Sequence, residues 1–210
     1  MDEPLGSQDA KMRIEMRAKL KKLQMDLGIT TVCVTHDQVE AQAIGDKVAV
    51  MEAGTIHQVG SPEEIYDKPA TLFVAGFVGT PRMNFLEGTL QREGERLYIR
   101  HPLFALALPP AKAQSIEAGA SGQEVIMGLR PEYIKLSQMA ETDSFPAEVY
   151  VLEPQSDKLV ISLKFGGEIL RMQADRDRLG FEPHVGQKVF MTFEKESVHI
   201  FDKRTGQRIS

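Results

Sequence analysis

The sequence predicts an α+β protein built from two regions of different style. Three observations carry this reading. Apolar residues recur at helical spacing from Met12 to Leu27; helical and strand-like segments then alternate as far as Val78; and from Gly79 onward short apolar runs are parted by turn residues, the pattern of a small antiparallel barrel or sandwich. A chain of 210 residues can hold two modest domains, each with its own core, and the change of style places them at residues 1–78 and 79–210.

In the first region Met12, Met16, Leu20, Leu23 and Leu27 lie four and three residues apart, on one helical face, and Gly28 supplies the left-handed stop. Met12, Met16 and Met25 read as adaptable core packing rather than as a binding surface. The β-branched segment from Ile29 to Thr35 is apolar on both faces, which predicts a buried parallel strand with His36 at its end. Asp37-Gln38 opens a helix over Val39 to Ala43. Lys47 to Met51 and Ile56 to Val59 read as strands around the turn Glu52-Ala53-Gly54-Thr55. Ser61-Pro62-Glu63-Glu64 combines an N-cap serine, proline at the first helical position and glutamate three residues on, a capping box. A further short helix, about Ala70 to Val78, follows Pro69.

In the second region the predicted strands are Phe85 to Leu90, Arg96 to Arg100, Val125 to Leu129, Ala147 to Leu152, Leu159 to Phe165, Glu168 to Met172, Lys188 to Phe193 and Val198 to Phe201. Gly166-Gly167 and Arg204-Thr205-Gly206 mark turns. The stretch from Pro109 to Gly122 is the loosest, with alanines enough for one helical turn.

Bulk properties exclude several classes. A formal net charge of −5 and a pI near 5.6 oppose the phosphate neutralisation on which nucleic-acid binding depends, so no nucleic-acid partner is expected. No apolar run approaches the roughly 20 residues of a membrane-spanning helix, so direct membrane insertion is not expected. A single cysteine, Cys33, cannot form an intramolecular disulfide, and no signal-peptide pattern opens the chain; a reducing, cytoplasmic compartment is expected.

Three stretches resemble the ATP-binding subunits of ABC importers, in the branch that serves maltose, other oligosaccharides and glycerol phosphate. Asp2-Glu3-Pro4-Leu5 with Asp9-Ala10 and a basic helix is similar to the end of the Walker B strand and the D-loop. Val34-Thr35-His36-Asp37-Gln38-Val39-Glu40-Ala41 matches the switch-histidine segment. Gly54, Gln58, Gly60, Pro62 and Tyr66, followed by Phe77-Val78-Gly79 and Met83-Asn84-Phe85, are similar to the exit from the nucleotide domain. Gly128-Leu129-Arg130-Pro131-Glu132 and Val198-His199-Ile200-Phe201-Asp202 with Thr205-Gly206 resemble that family's oligonucleotide-fold-like regulatory domain, known as TOBE.

The resemblance implies that residues 1–78 are an incomplete α/β nucleotide domain and that 79–210 form a mostly antiparallel OB-like barrel with a regulatory role. It implies Asp2 as a Mg²⁺ ligand, Glu3 as general base for the attacking water, His36 as hydrogen-bond donor to the γ-phosphate and Asp9 as the D-loop aspartate. Hydrolysis also needs a glycine-framed phosphate loop with its lysine, and the sequence contains no Gly-Lys dipeptide and no Ser-Gly-Gly-Gln signature. Only Met1 precedes Asp2, where the family has a hydrophobic strand, and Gly6-Ser7-Gln8-Asp9 stands where it reads Ser-Asn-Leu-Asp. This chain alone is therefore expected to bind no ATP or Mg²⁺ and to be inactive, with apolar faces of 1–78 left without cover. Implied partners are a second copy through the β-rich domain and membrane permease subunits; the implied place is the cytoplasmic face of the membrane.

Other residues have plainer readings. Cys33 reads as a small core residue; His57, His101, His184 and His199 are too dispersed for a metal centre; Lys19, Lys21 and Lys22 read as the solvated side of a helix that also carries Glu15 and Asp26; and Arg130 with Glu132 reads as an ion pair fixing the turn at Pro131. Two other functions stay open from the residues alone. A free-standing barrel binding a small molecule or anion would show convergent cationic or amide groups in a pocket. A single-strand nucleic-acid binder would need exposed aromatics on a basic groove, against an aromatic content of 7% without Trp.

Overall fold

The computed structural model describes residues 1–6, 8–119 and 122–210. They form two compact units, Met1–Ala70 and Thr71–Ser210. The α+β class and the antiparallel β-rich second region are as the sequence predicts.

The first unit carries helices α1 (Ala10–Leu27) and α2 (Gln38–Ile44), a hairpin of β1 (Val48–Glu52) and β2 (Thr55–Gly60), and α3 (Pro62–Asp67). Each helix begins on a side-chain cap. The Asp9 carboxylate accepts from the Met12 N–H, Asp37 accepts from Val39 and Glu40, and Ser61 with Glu64 makes the reciprocal capping box. Gly28 closes α1 at φ 61°. The β1–β2 turn places Ala53 at φ 47° and Gly54 at φ 80°, the left-handed pair that a two-residue hairpin requires.

Three expectations are corrected in this unit. α1 buries none of its residues, and Met12 and Met25 are exposed rather than packed in a core. The helix docks on α2 through a polar stripe at four-residue spacing instead. Arg17 Nη2 reaches Asp37 Oδ2 at 3.0 Å, Arg13 Nη1 reaches the same oxygen at 3.5 Å, and Lys21 Nζ donates to the Ile44 carbonyl at 2.9 Å and Asp46 at 2.6 Å. Lys21 thus ties two elements together rather than pointing to solvent. The segment from Ile29 to Thr35 runs parallel to the first residues of the chain, but Val32 and Val34 are exposed and Cys33 is only half-buried. Among the described residues of this unit nothing covers them.

The second unit starts with α4 (Leu72–Phe77), capped by Thr71. Two five-stranded antiparallel sheets follow. One holds β3 (Asn84–Glu93), β4 (Arg96–His101), β5 (Phe104–Ala107), β6 (Glu124–Leu129) and β12 (His199–Asp202) in the order β12-β6-β3-β4-β5. The other holds β7 (Ile134–Ser137), β8 (Phe145–Gln155), β9 (Lys158–Phe165), β10 (Glu168–Asp175) and β11 (Lys188–Phe193) in the order β10-β9-β8-β11-β7. Both sheets feed one core. Leu86, Ile99, Leu106 and Met127 come from the first, and Val149, Ile161, Leu163 and Met191 from the second, all essentially without solvent exposure. The stretch read as loose holds α5 (Pro110–Gly119), ten residues rather than one turn.

The second unit also buries charge and amide groups, and each has a partner that justifies it. Arg130 is 1% exposed and donates from Nη1 to the Val78 carbonyl at 2.9 Å, anchoring the chain just after α4. Asp202 is 3% exposed; its Oδ1 accepts from the backbone N–H of Arg204 and Thr205, while the Gly206 carbonyl accepts from Leu72 N–H at 2.8 Å. The turn expected at Arg204-Thr205-Gly206 therefore also holds the start of α4.

His199 lies buried on β12, one residue after the Val198 carbonyl that receives the Lys112 ammonium. Burial, and then the charges of Arg130, Lys112 and Arg208, push its pKa down to about 3. The imidazole is thus neutral in the fold and takes up a proton only when the chain unfolds. Because the folded pKa lies below the unfolded value of about 6.5, this contribution is fully present above pH 6.5 and is lost as pH falls towards 3. Unfolding in urea is expected to show the second unit less stable by about 2 kcal/mol at pH 5 than at pH 7 on this account, and His199→Gln should flatten that difference. An unchanged slope in the variant would assign the acid sensitivity to other groups.

Candidate functional site

The four residues singled out as a site all lie in the first unit, and the fold brings two of them into direct contact. Asp2 pairs with Val34 in a parallel bridge, with Val34 N–H donating to the Met1 carbonyl at 2.9 Å and Glu3 N–H donating to the Val34 carbonyl at 2.8 Å. One residue beyond Asp2 and two beyond Val34 the side chains converge. His36 Nδ1 lies 2.6 Å from Glu3 Oε1. Both side chains are largely solvent-facing, at 77% and 48%. The carboxylate bond comes first and its charge second in raising the His36 pKa above the ordinary imidazole value. The pair can therefore carry a shared proton, with the imidazolium as a donor and the carboxylate as an acceptor.

Two features hold this pair. Glu3 sits at φ 42°, a left-handed backbone that costs a non-glycine residue roughly 1 kcal/mol or more and is concentrated at functional positions. The turn that follows is closed by Gly6 N–H to the Glu3 carbonyl and by the buried Leu5 side chain. On the other side, Thr35 Oγ1 accepts from Asp37 N–H at 3.0 Å and donates to Glu40 Oε2 at 2.9 Å, so His36 stands at the entrance of α2 between two tied neighbours. Partial burial works against the Asp37 carboxylate, but the N–H groups of Glu40 and Val39 and the Arg17 and Arg13 guanidinium groups outweigh it and hold its pKa below the usual carboxylate range.

Asp9 stands apart in role: its carboxylate is engaged as the N-cap of α1. Asp2 offers one carboxylate next to Glu3, and among the described residues no group of three or more His, Cys, Asp or Glu side chains is placed to hold a metal ion.

Comparisons with known proteins identify the family to which these two units belong. A MalK OB fold domain matches residues 79–134, and a TOBE domain matches residues 127–201. All of the chain aligns at 42% identity with 56% of the trehalose/maltose import ATP-binding protein MalK of Thermococcus litoralis. The chain belongs to the ATP-binding subunits of ABC importers. It spans about half the length of the curated relatives it matches, over their C-terminal portion. The sn-glycerol-3-phosphate import ATP-binding protein UgpC of Salmonella typhi is 36% identical over 99% of this chain and 56% of its own length. Among solved structures, the molybdate-binding protein ModG aligns with a TM-score of 0.42 at 16% identity, covering 56% of this chain and 94% of its own. The MalK-type OB domain begins at Gly79, within the second compact unit that starts at Thr71. α4 falls between those two points because its N-terminus is bonded to the Gly206 turn of that unit.

Several residues that shape this importer-subunit fold carried no signal alone. Arg13 and Arg17 are ordinary helix arginines until the fold sets them on Asp37, and Asn84 is a single letter within a motif until its amide is seen joining two sheets. The i, i+4 spacing of Arg13, Arg17 and Lys21 was the available clue to the first pair.

Proposed function

We propose that this chain is the part of an importer's ATPase subunit that carries the water-activating and phosphate-sensing pair together with the regulatory domain. The 2.6 Å approach of His36 to Glu3 at the end of a parallel strand bridge carries the reading. In open parallel sheets, ligands gather at the carboxyl ends of strands, where these two side chains stand. Glu3 orients and deprotonates water, and His36 donates to the departing phosphoryl oxygens. One carboxylate joined by phosphate oxygens is an ordinary Mg²⁺ set, so Asp2 fits that ion; Asp9 serves the D-loop by capping α1. The triphosphate itself requires an amide nest and lysine that this sequence does not spell, so the chain by itself is inactive.

The second unit is the regulatory and pairing domain, and it meets a second copy of the chain. The assembled subunit sits on permease subunits at the cytoplasmic face of the membrane and imports a carbohydrate or a phosphorylated polyol, the classes in the names of its relatives. Among the described residues no helix is long and apolar enough to cross a membrane.

The test joins this chain in frame to the upstream portion of the Thermococcus litoralis relative. The chain alone should retain no radiolabelled ATP at micromolar concentration. The chimera should hydrolyse ATP, and Glu3→Gln should lower its turnover by about 100-fold or more. Glu3-dependent turnover by the isolated chain, or a chimera indifferent to Glu3, would overturn the proposal.

A further inference from the structure

We infer that the cleft between β7 and β10 is a docking groove for an extended peptide segment of a partner protein, which pairs through its main chain with the free edge of β10. The inference concerns the second unit alone and does not depend on the nucleotide chemistry assigned to the first.

β7 and β10 are the two outer strands of one five-stranded sheet and are not hydrogen-bonded to each other. Between them lies a cleft of about 570 Å³, inside the range of ligand sites. At its upper end the β10 edge is already occupied by a peptide-like group. Arg171 N–H donates to Asn84 Oδ1 at 2.7 Å, and Asn84 Nδ2 donates to the Arg171 carbonyl at 2.8 Å, so one side-chain amide makes both hydrogen bonds of a strand rung. Backbone direction in a strand repeats every second residue. Gln173 therefore points its N–H and carbonyl the same way as Arg171, and the Asp175 N–H follows. Both residues line the cleft, and among the described residues no strand pairs with this edge. Asn84 thus fills the first rung of a ladder whose next outward-directed residues, the half-buried Gln173 and Asp175, line the cleft.

The chemistry of the walls selects the occupant. Lys135, Lys158 and Arg178 are balanced by Glu132, Glu141 and Asp175, which favours neither a polyanion nor a cation. The half-buried Leu136, Ala174 and Leu179 give an apolar floor. A neutral amide backbone, with alternate side chains over that floor, satisfies both the edge and the walls, as in strand addition to an open sheet edge. An edge left open in this way otherwise invites unspecific pairing, and here charged side chains flank it.

The test uses the ¹⁵N-labelled full chain and a library of capped, uncharged hexapeptides alternating threonine with an apolar residue. At least one peptide should bind with Kd below about 1 mM and shift the Gln173 and Asp175 amide resonances. Two N-methylated forms of that peptide, blocked at alternate amides, should differ, one losing about tenfold in affinity and the other little. Gln173→Pro, which removes an N–H directed away from β9, should weaken binding while Gln173→Ala, which keeps the backbone, should not. Equal tolerance of both methylation patterns, shifts confined to other strands, or the absence of any binding peptide would overturn the inference. So would displacement of the same resonances by maltose or inorganic phosphate with no response to peptides, which would make the cleft a small-molecule site.

Discussion

Phe104→Ala is expected to cost the second unit about 4 kcal/mol, the usual range for removing a buried phenylalanine ring. Phe104 lies on β5, the outer strand of its sheet, yet only 7% of it is exposed. Its ring meets three phenylalanines of the opposite sheet, with centroids 5.2 Å from Phe145 on β8, 5.7 Å from Phe193 on β11 and 5.9 Å from Phe165 on β9. Tilted and edge-to-face pairs of this kind add to simple burial. Alanine would leave a void at the meeting point of two sheets, where neither can collapse without breaking its own ladder. Phe104→Leu keeps most of the volume and should cost about 1.5 kcal/mol or less. Denaturant unfolding followed by circular dichroism measures both. A loss below about 1 kcal/mol for the alanine variant would show that β5 does not share the common core.

That strand also marks where the sequence stops being legible. β5 and β7 are four residues each, too short for a period-two pattern to stand out; β12, equally short, is legible because Val198-His199-Ile200-Phe201-Asp202 also carries the family resemblance. Longer strands are legible directly: β11 alternates over six residues, and β9 is a nearly continuous buried run over eight. The helix caps at Asp37, Ser61 and Gly28 were equally plain, because a cap is a local contract between one side chain and the next turn. The apolar stripe of α1 misled for the opposite reason. Periodicity reports that a face is apolar, not what lies against it, and the described residues set the Arg13, Arg17 and Lys21 stripe on α2. Within the candidate site, residue type and flanking letters named Glu3 and His36, but their meeting at 2.6 Å across 33 residues of chain follows from the parallel bridge at Asp2 and Val34, which only the fold supplies.

Asn84 is the residue whose loss should be felt most among the polar groups. Its side chain is almost fully buried and makes three hydrogen bonds, donating to the Leu129 carbonyl at 3.0 Å and the Arg171 carbonyl at 2.8 Å and accepting from Arg171 N–H at 2.7 Å. Those partners belong to different sheets, Leu129 to β6 and Arg171 to β10, so the amide is a clamp between them. Asn84→Ala leaves the Arg171 N–H and two carbonyl groups facing a small void, and a cost of about 3 kcal/mol is expected from their desolvation. Asn84→Asp keeps the shape and the acceptor for Arg171 N–H but turns the donor end into a second oxygen against two carbonyls. Burial and those carbonyls raise the aspartate pKa in the folded state, so the protonated acid, which restores one donor, is the form that fits. A raised folded pKa means that stability is present below the unfolded value of about 3.9 and is lost as pH rises through the folded one. Relative to the wild-type chain at the same pH, the aspartate variant should therefore be hurt more at pH 7 than at pH 4, while the alanine deficit stays constant. Urea midpoints of the three chains at both pH values decide the matter: parallel deficits for alanine and aspartate would mean that Asn84 fills space between the sheets without bonding them.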